Sequence, residues 1–209
     1  MIFFLIFVST LPPLPLLTEA EILALLRNGD ERAYRQVYDQ YSSRVYNTAL
    51  GYLQNATDAE DITQEVFVEV FRSVDKFRGG ASIGTWVYRI AINKCLDHIK
   101  HGKRKKRFGI MRSLFGGSNE EQALPLPDFH HPGIELENKE RAAILFKAIG
   151  QLNENQQTAF ILTHIEDLSQ KEAAEVMDIS VKALESLIQR AKANLRDKLK
   201  DFYKGEKDL

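Results

Sequence analysis

Between Gly102 and Ile134 the chain loses every periodic signal. These 33 residues hold Gly109, Gly116, Gly117 and Gly133, prolines at 125, 127 and 132, and acids at Glu120, Glu121 and Asp128. A structureless run of this length is uncommon inside a compact domain. The chain is therefore expected to fold as two units, 18–101 and 135–204, joined by a linker over 102–134.

Each unit shows helical spacing with start signals. Thr18 and Glu21 form a capping box ahead of Ile22, Leu23, Leu25 and Leu26, and Gly29 closes that short helix. Asp30 can cap the next, whose stripe is Tyr34, Val37, Tyr41, Val45, Ala49 and Leu53. Thr57 and Glu60 read as the box of a third helix with Ile62, Val66, Val70, Val74 and Phe77 on one face and Asp61, Gln64, Glu65 and Glu69 on the other. After Gly79-Gly80, Ser82 or Thr85 can start a fourth helix with Ile83, Val87, Ile90, Ala91 and Leu96 inward and Tyr88, Arg89, Asn93, Asp97 and Lys100 outward.

The second unit opens with the helical pattern ELENKERAAILFKAIGQL. Asn153 with Gln156 starts another helix, and Ser169 with Glu172 a third. Asp178-Ile179 then turns the chain and Ser180 caps a long last helix, an arrangement resembling a helix-turn-helix. Val181, Leu184, Ile188, Ala191 and Leu195 are expected to be buried, leaving Lys182, Ser186, Gln189 and Arg190 outside. The expected fold is all-α, two small helical domains.

Charge is segregated along this frame. From Lys76 to Arg112 there are eleven basic residues and one acid, Asp97, whereas Glu19 to Asp75 holds five basic and eleven acidic residues. A net charge of -1 conceals that contrast. The basic stretch also carries Phe77, Trp86, Tyr88 and Phe108. Cations attract phosphates regardless of sequence and flat rings stack on unpaired bases, so opened nucleic acid is the implied ligand. Arg, Asn and Lys also reach base edges and phosphates in a duplex.

An apolar content of 44% with 27% charged residues is that of a soluble globular protein. Cys95 alone excludes an internal disulfide and fits a reducing compartment. The string Cys95, His98, His101 lacks the fourth ligand of a closed zinc site, so packing is the better account. No nucleophile with its base, phosphate-binding glycine loop or carboxylate pair in a plausible cleft is evident, which argues against an enzyme. His164, near Glu166 and Asp167, is read as decorating a helix end. The apolar residues 1–17 contain three prolines and lack a positive start, so they read as a disordered or loosely packed tail rather than a membrane span or a secretory signal.

With these residues in hand, the chain from about Glu21 to Leu199 resembles the extracytoplasmic-function (ECF) group of bacterial RNA polymerase sigma factors. DAEDITQEVFVEVF is similar to region 2.2, which implies that Asp61, Gln64 and Glu65 bind core polymerase. FRGGASIGTWVYRIAINKCLDHIK is similar to regions 2.3 and 2.4, implying that Arg78, Trp86, Tyr88, Arg89, Asn93, Lys100, Lys103 and Arg104 melt and read the -10 element. LNENQQTAFILTHIEDLSQKEAAEVMDISVKALESLIQRAKANLRDKL resembles region 4, implying that Lys171, Ser180, Lys182, Ser186, Gln189 and Arg190 contact the -35 element. The family's T-V-K-S-R pattern is replaced by Ala183, Leu184, Glu185, Ser186 and Leu187, with the loss of two cationic positions.

The resemblance implies a cytoplasmic specificity subunit whose partners are core polymerase, promoter DNA and an anti-sigma factor, with no cofactor and no small-molecule substrate. A stand-alone helix-turn-helix regulator is the alternative. A 33-residue linker spans roughly 30 Å as a coil and about 110 Å when extended, against promoter boxes roughly 70 Å apart. The linker is thus expected to be stretched on polymerase and to let the domains collapse together when the chain is free.

Overall fold

The computed structural model describes residues 18–116 and 139–205, with side chains over 18–104 and 141–200; the apolar start, residues 117–138 of the linker region and the last four residues lie outside the described part. Eight α-helices form two helical domains, and among the described residues there is no strand. The first domain comprises α1 (Glu19–Arg27), α2 (Glu31–Leu53), α3 (Ala56–Ser73) and α4 (Ile83–Gly116), with a 3-10 turn at Val74–Lys76. The second comprises α5 (Lys139–Ile149), α6 (Glu154–Phe160), a π-helical turn at Ile161–Ile165, α7 (Gln170–Met177) and α8 (Val181–Gly205).

Local chemistry sets most boundaries. Thr18 and Ser169 make reciprocal capping boxes with Glu21 and Glu172, satisfying backbone donors that a helix start leaves orphaned. Asp30 caps α2 through the amide of Arg32, and Asn153 caps α6 through that of Gln156. Gly29 has φ +73°, the left-handed conformation that ends a helix with least strain in glycine. The start of α3 differs from expectation. Gln54 turns left-handed at φ 55°, which aims Asn55 so that its side chain accepts from the Asp58 amide, and Thr57 falls inside the first turn instead of capping it.

Helix α4 also runs on through the basic stretch to Gly116, past the loss of apolar periodicity at Gly102. Lys and Arg are good helix formers, so propagation needs no buried face.

In the first domain α2, α3 and α4 pack on one another around Val37, Val45, Ala49, Val66, Val70, Val87 and Ala91, all nearly or completely buried. In the second, α8 gathers α5, α6 and α7 around Leu184, Ile188, Ala191 and Leu195. Val181 departs from the expected stripe: at the first position of α8 it is 39% exposed, whereas Leu184, three residues on, is fully buried.

The two domains pack against each other. The π-helical turn meets α2, and α7 meets α4. Ile161 packs over Gly51 of α2, 3.6 Å from where a Cβ on that glycine would stand, an ordinary van der Waals distance. Tyr52 and Thr158 share a buried hydroxyl–hydroxyl hydrogen bond, and Thr158 also donates to the Glu154 carbonyl. Gln54 donates from Nε2 to the carbonyl of Phe146 at 2.6 Å.

Candidate nucleic-acid and polymerase interfaces

Asp61, Gln64 and Glu65 are exposed on the outer face of α3, opposite the buried Ile62, Val66 and Val70. This is the 3.6-residue period at work. Only Glu65 is tied down among the three, by an ion pair with Lys94 of α4 at 3.4 Å. Such an exposed pair contributes little to stability, so the face stays available to a basic partner. Val68, 46% exposed, follows on the same helix, and Tyr38, also 46% exposed, tilts against Phe67 with ring centroids 4.8 Å apart.

The glycine turn ahead of α4 is real: Gly79 has φ +74°. The Ser82 hydroxyl accepts from the Thr85 amide at the helix start. Behind the turn Trp86 is partly buried and stacks on Phe77, with centroids 4.7 Å apart and planes 23° from parallel. Trp86 is thus neither sealed in the core nor free: one face of its ring is taken by Phe77. Arg78, Asn93, Lys100, Lys103 and Arg104 are exposed, while the side chains of 105–116, Phe108 included, lie outside the described residues.

Tyr88 and Arg89 do not stand free on an outer face as the helical period suggested. Tyr88 is 3% exposed and donates its hydroxyl to Glu166 of the second domain at 3.3 Å. Burial, and then the Glu166 charge, push its hydroxyl well above the ordinary tyrosine range, so it is a neutral donor here. Arg89 donates from Nη2 to the Glu175 carbonyl at 2.6 Å and from Nε to that of Val176 at 3.0 Å. Thr85 donates to Glu175 Oε1 at 3.4 Å, and Lys100 pairs with Glu154 at 3.3 Å.

The physical cause is long-range packing: the amphipathic pattern of α4 records that one face is polar, not that a second domain covers part of it. Between the domains remains a cleft of about 680 Å³, with Phe77, Arg78, Trp86 and Arg89 on one wall and Glu175, Asp178 and Ser180 on the other.

In the second domain Asp178 takes the left-handed φ of 55° that lets α7 and α8 meet at a tight turn, and Ser180 accepts from the Ala183 amide to start α8. Lys171, Ser180, Lys182, Ser186, Gln189 and Arg190 are all exposed. Arg190 donates from Nε to the Ser186 carbonyl, which lays its guanidinium along the helix. Glu185 is exposed among them. His164 stacks flat on Phe160 at 4.6 Å and hydrogen-bonds Thr163. Cys95 is fully buried and His98 lies 3.7 Å from Asp58, so the Cys95-His98-His101 string converges on no common point. Among the described residues no helix is long and apolar enough to cross a membrane.

The sequence reading missed Thr85, Arg44, Tyr52, Gln54 and Glu166, which meet or flank the seam. The seam contacts of Thr85, Tyr52, Gln54 and Glu166 join positions 78 to 106 apart, as with Tyr88 to Glu166 and Tyr52 to Thr158, and Arg44 acts on Glu166 from farther still along the chain; no local pattern encodes them.

Comparison with known proteins agrees with this geometry. Residues 37–105 match the family model Sigma-70 region 2 and residues 142–195 match Sigma-70, region 4. The chain is 30% identical over 184 residues to the ECF RNA polymerase sigma-E factor of Haemophilus influenzae, covering 88% of this chain and 96% of that one. It is 28% identical over 189 residues to the ECF RNA polymerase sigma-E factor of Escherichia coli, covering 90% and 97%. Two solved structures share the fold. One is CnrH in complex with the cytosolic domain of CnrY, with 24% identity, a TM-score of 0.62 and coverage of 88% and 97%. The other is the sigma factor RpoE in complex with the anti-sigma factor NepR from Bartonella quintana, with 20% identity, a TM-score of 0.53 and coverage of 80% and 96%.

Proposed function

The chain belongs to the extracytoplasmic-function family of RNA polymerase sigma factors, and we propose a division of that work among three helices. In this reading α3 docks core polymerase, α4 captures and helps open the -10 element, and α8 grips the -35 element. The observation that carries it is the joining, in one domain, of the exposed Asp61, Gln64 and Glu65 stripe with the Trp86–Phe77 stack at the head of a cationic helix.

Magnitudes fit the roles. Separating a duplex takes on average about 1.4 kcal/mol per base-pair step, and stacking one captured base on an aromatic returns roughly 1–3 kcal/mol. One ring pair beside Arg78 can nucleate opening, and polymerase must complete the bubble. Lys103 and Arg104 continue the cationic face along α4, where they would follow phosphates without reading sequence.

The free chain is closed for this task. Tyr88 is buried, and the guanidinium of Arg89 is fastened to α7, so neither can touch DNA until the second domain leaves. Affinity for promoter DNA is then reduced by the fraction of molecules that are closed. We propose that binding core polymerase draws the two domains apart. The neighbour solved with the anti-sigma factor NepR motivates an anti-sigma factor as a further partner here.

Charge reversal of two exposed residues tests the docking step. The double variant Asp61→Lys with Glu65→Lys should keep its helical content but bind core polymerase at least roughly tenfold more weakly. Wild-type affinity for core polymerase in that variant would overturn the assignment of α3. Run-off transcription with core polymerase on genomic fragments then reads out promoter recognition itself.

A further inference from the structure

The seam between the domains encloses a carboxyl group that neither polymerase docking nor DNA capture uses. Glu166 follows the π-helical turn, and its Oε2 accepts from the Tyr88 hydroxyl at 3.3 Å. Its Oε1 is shut off from solvent and receives no hydrogen bond of good geometry; the hydroxyl of the wholly buried Thr48 of α2, itself without a well-formed bond, is the group that leans on the carboxyl there. A carboxylate offers about four acceptor positions, whereas the neutral acid asks for less and can donate one hydrogen bond itself. A site whose donors are one long bond from Tyr88 and a poorly placed Thr48 hydroxyl therefore suits the acid better than the anion.

The surrounding charges do not reverse that preference. From α4 the neutral Tyr88 faces Glu166, and from α2 the cation of Arg44 acts on it, but Arg44 is exposed and its pull is screened by water. On α7, Glu172 is engaged with Ser169 and Glu175 accepts from Thr85; His164, on the turn itself, stacks on Phe160. Burial is the largest influence and pushes Glu166 up to about 7, with the Tyr88 hydrogen bond, the Thr48 hydroxyl and the Arg44 charge pulling the other way.

We propose that Glu166 is a proton-sensitive clasp between the two domains: as the acid it keeps the seam shut over Tyr88, and as the carboxylate it drives the second domain off and frees the face of α4. This rests on the reading that the closed form masks DNA-contacting residues. When the seam opens, the carboxyl returns to water and to an ordinary value near 4.5. A group whose value is raised in the closed form stabilises closure while protonated. That contribution is complete below the open-state value, is lost as pH climbs towards the closed-state value near 7, and changes no further above it. The opening constant is accordingly about tenfold larger at pH 8 than at pH 6.

The test is single-molecule energy transfer on the full chain, with dyes on the exposed positions of Gln40→Cys and Ala193→Cys; the native Cys95 is buried and escapes labelling. The expected result is a tenfold rise in the open-to-closed ratio between pH 6 and pH 8 that flattens above pH 7.5, and a ratio independent of pH in Glu166→Gln. A pH-independent ratio in the wild-type chain, or an undiminished pH response in Glu166→Gln, overturns the clasp. Carbon-13 titration of the Glu166 carboxyl in the wild-type chain decides the matter if the variant does not fold: a midpoint near 7 is expected, and one in the ordinary carboxylate range sinks the proposal. Run-off transcription at one fixed pH keeps the two readings apart. Normal initiation with no pH response removes only the clasp, and a pH response without initiation removes only the promoter role.

Discussion

Arg89 caps a helix that belongs to the other domain. Its guanidinium lies 2.6 Å from the carbonyl oxygen of Glu175 and 3.0 Å from that of Val176, at the C-terminal end of α7. The last carbonyls of a helix have no intrahelical donor and carry the negative end of its dipole, so a cation with forked donors is well placed there. The same donors are of the type that reads base edges and phosphates. If Arg89 contacts DNA as proposed, closure and DNA contact compete for one side chain.

Removing that side chain should loosen the free protein. Hydrogen bonds to charged groups contribute about 1.5–3 kcal/mol when well shielded; with the Arg89 side chain 39% exposed, about 1 kcal/mol is the better expectation after allowing for solvent screening. Arg89→Ala is expected to raise the open-to-closed ratio roughly fivefold by energy transfer, while lowering -10 DNA capture on polymerase. An unchanged ratio would mean that the contact contributes nothing to closure.

Tyr52 offers an independent way to loosen the seam without touching a DNA-contacting residue. Its hydroxyl meets Thr158 where both side chains are buried. Because the Thr158 hydroxyl already donates to the Glu154 carbonyl, Tyr52 is the donor. Tyr52→Phe leaves Thr158 with one donor fewer, and should weaken closure by about 1 kcal/mol. Core polymerase binding should be equal or stronger, since docking is proposed to need the open form. Weaker polymerase binding in this variant would mean that docking favours the closed form.

Helix α8 supplies a paired test of register. Leu184 is fully buried, so Leu184→Ala should cost about 2–5 kcal/mol and lower the melting temperature of the second domain. Val181 is 39% exposed, and Val181→Ala should fall within about 0.5 kcal/mol of wild type. Comparable losses at both positions would place Val181 in the core, as its spacing from Leu184 and Ile188 suggested.

That pair shows where sequence reasoning reaches and where it stops. The capping boxes at Thr18 and Ser169, the stripe of α3 and the turn at Asp178 are local, three- or four-residue relationships, and each lies where its chemistry placed it. The start of α3 went to Asn55 because a left-handed Gln54, invisible in composition, reoriented the entry. The extension of α4 to Gly116 was hidden because a solvated helix of Lys and Arg needs no apolar stripe. Tyr88, Arg89 and Glu166 are the harder case. Their types and spacing pointed to DNA or to a helix end, and only the packing of two halves of the chain brings them into one seam.

The outer face of α8 leads to the last prediction. Lys182, Ser186, Gln189 and Arg190 are exposed together with Glu185, whose carboxylate can accept from cytosine N4 but repels phosphate. If this face grips the -35 duplex, Arg190→Ala should weaken binding of the holoenzyme to promoter fragments and reduce the slope of log affinity against log salt by about one, the signature of one lost phosphate contact. Glu185→Lys should do the reverse, tightening binding on many sequences and steepening the slope by about one, because a cation there adds attraction that is blind to sequence. Filter binding across a range of salt concentrations separates the outcomes. Parallel lines for wild type, Arg190→Ala and Glu185→Lys would mean that this face of α8 does not meet the DNA backbone.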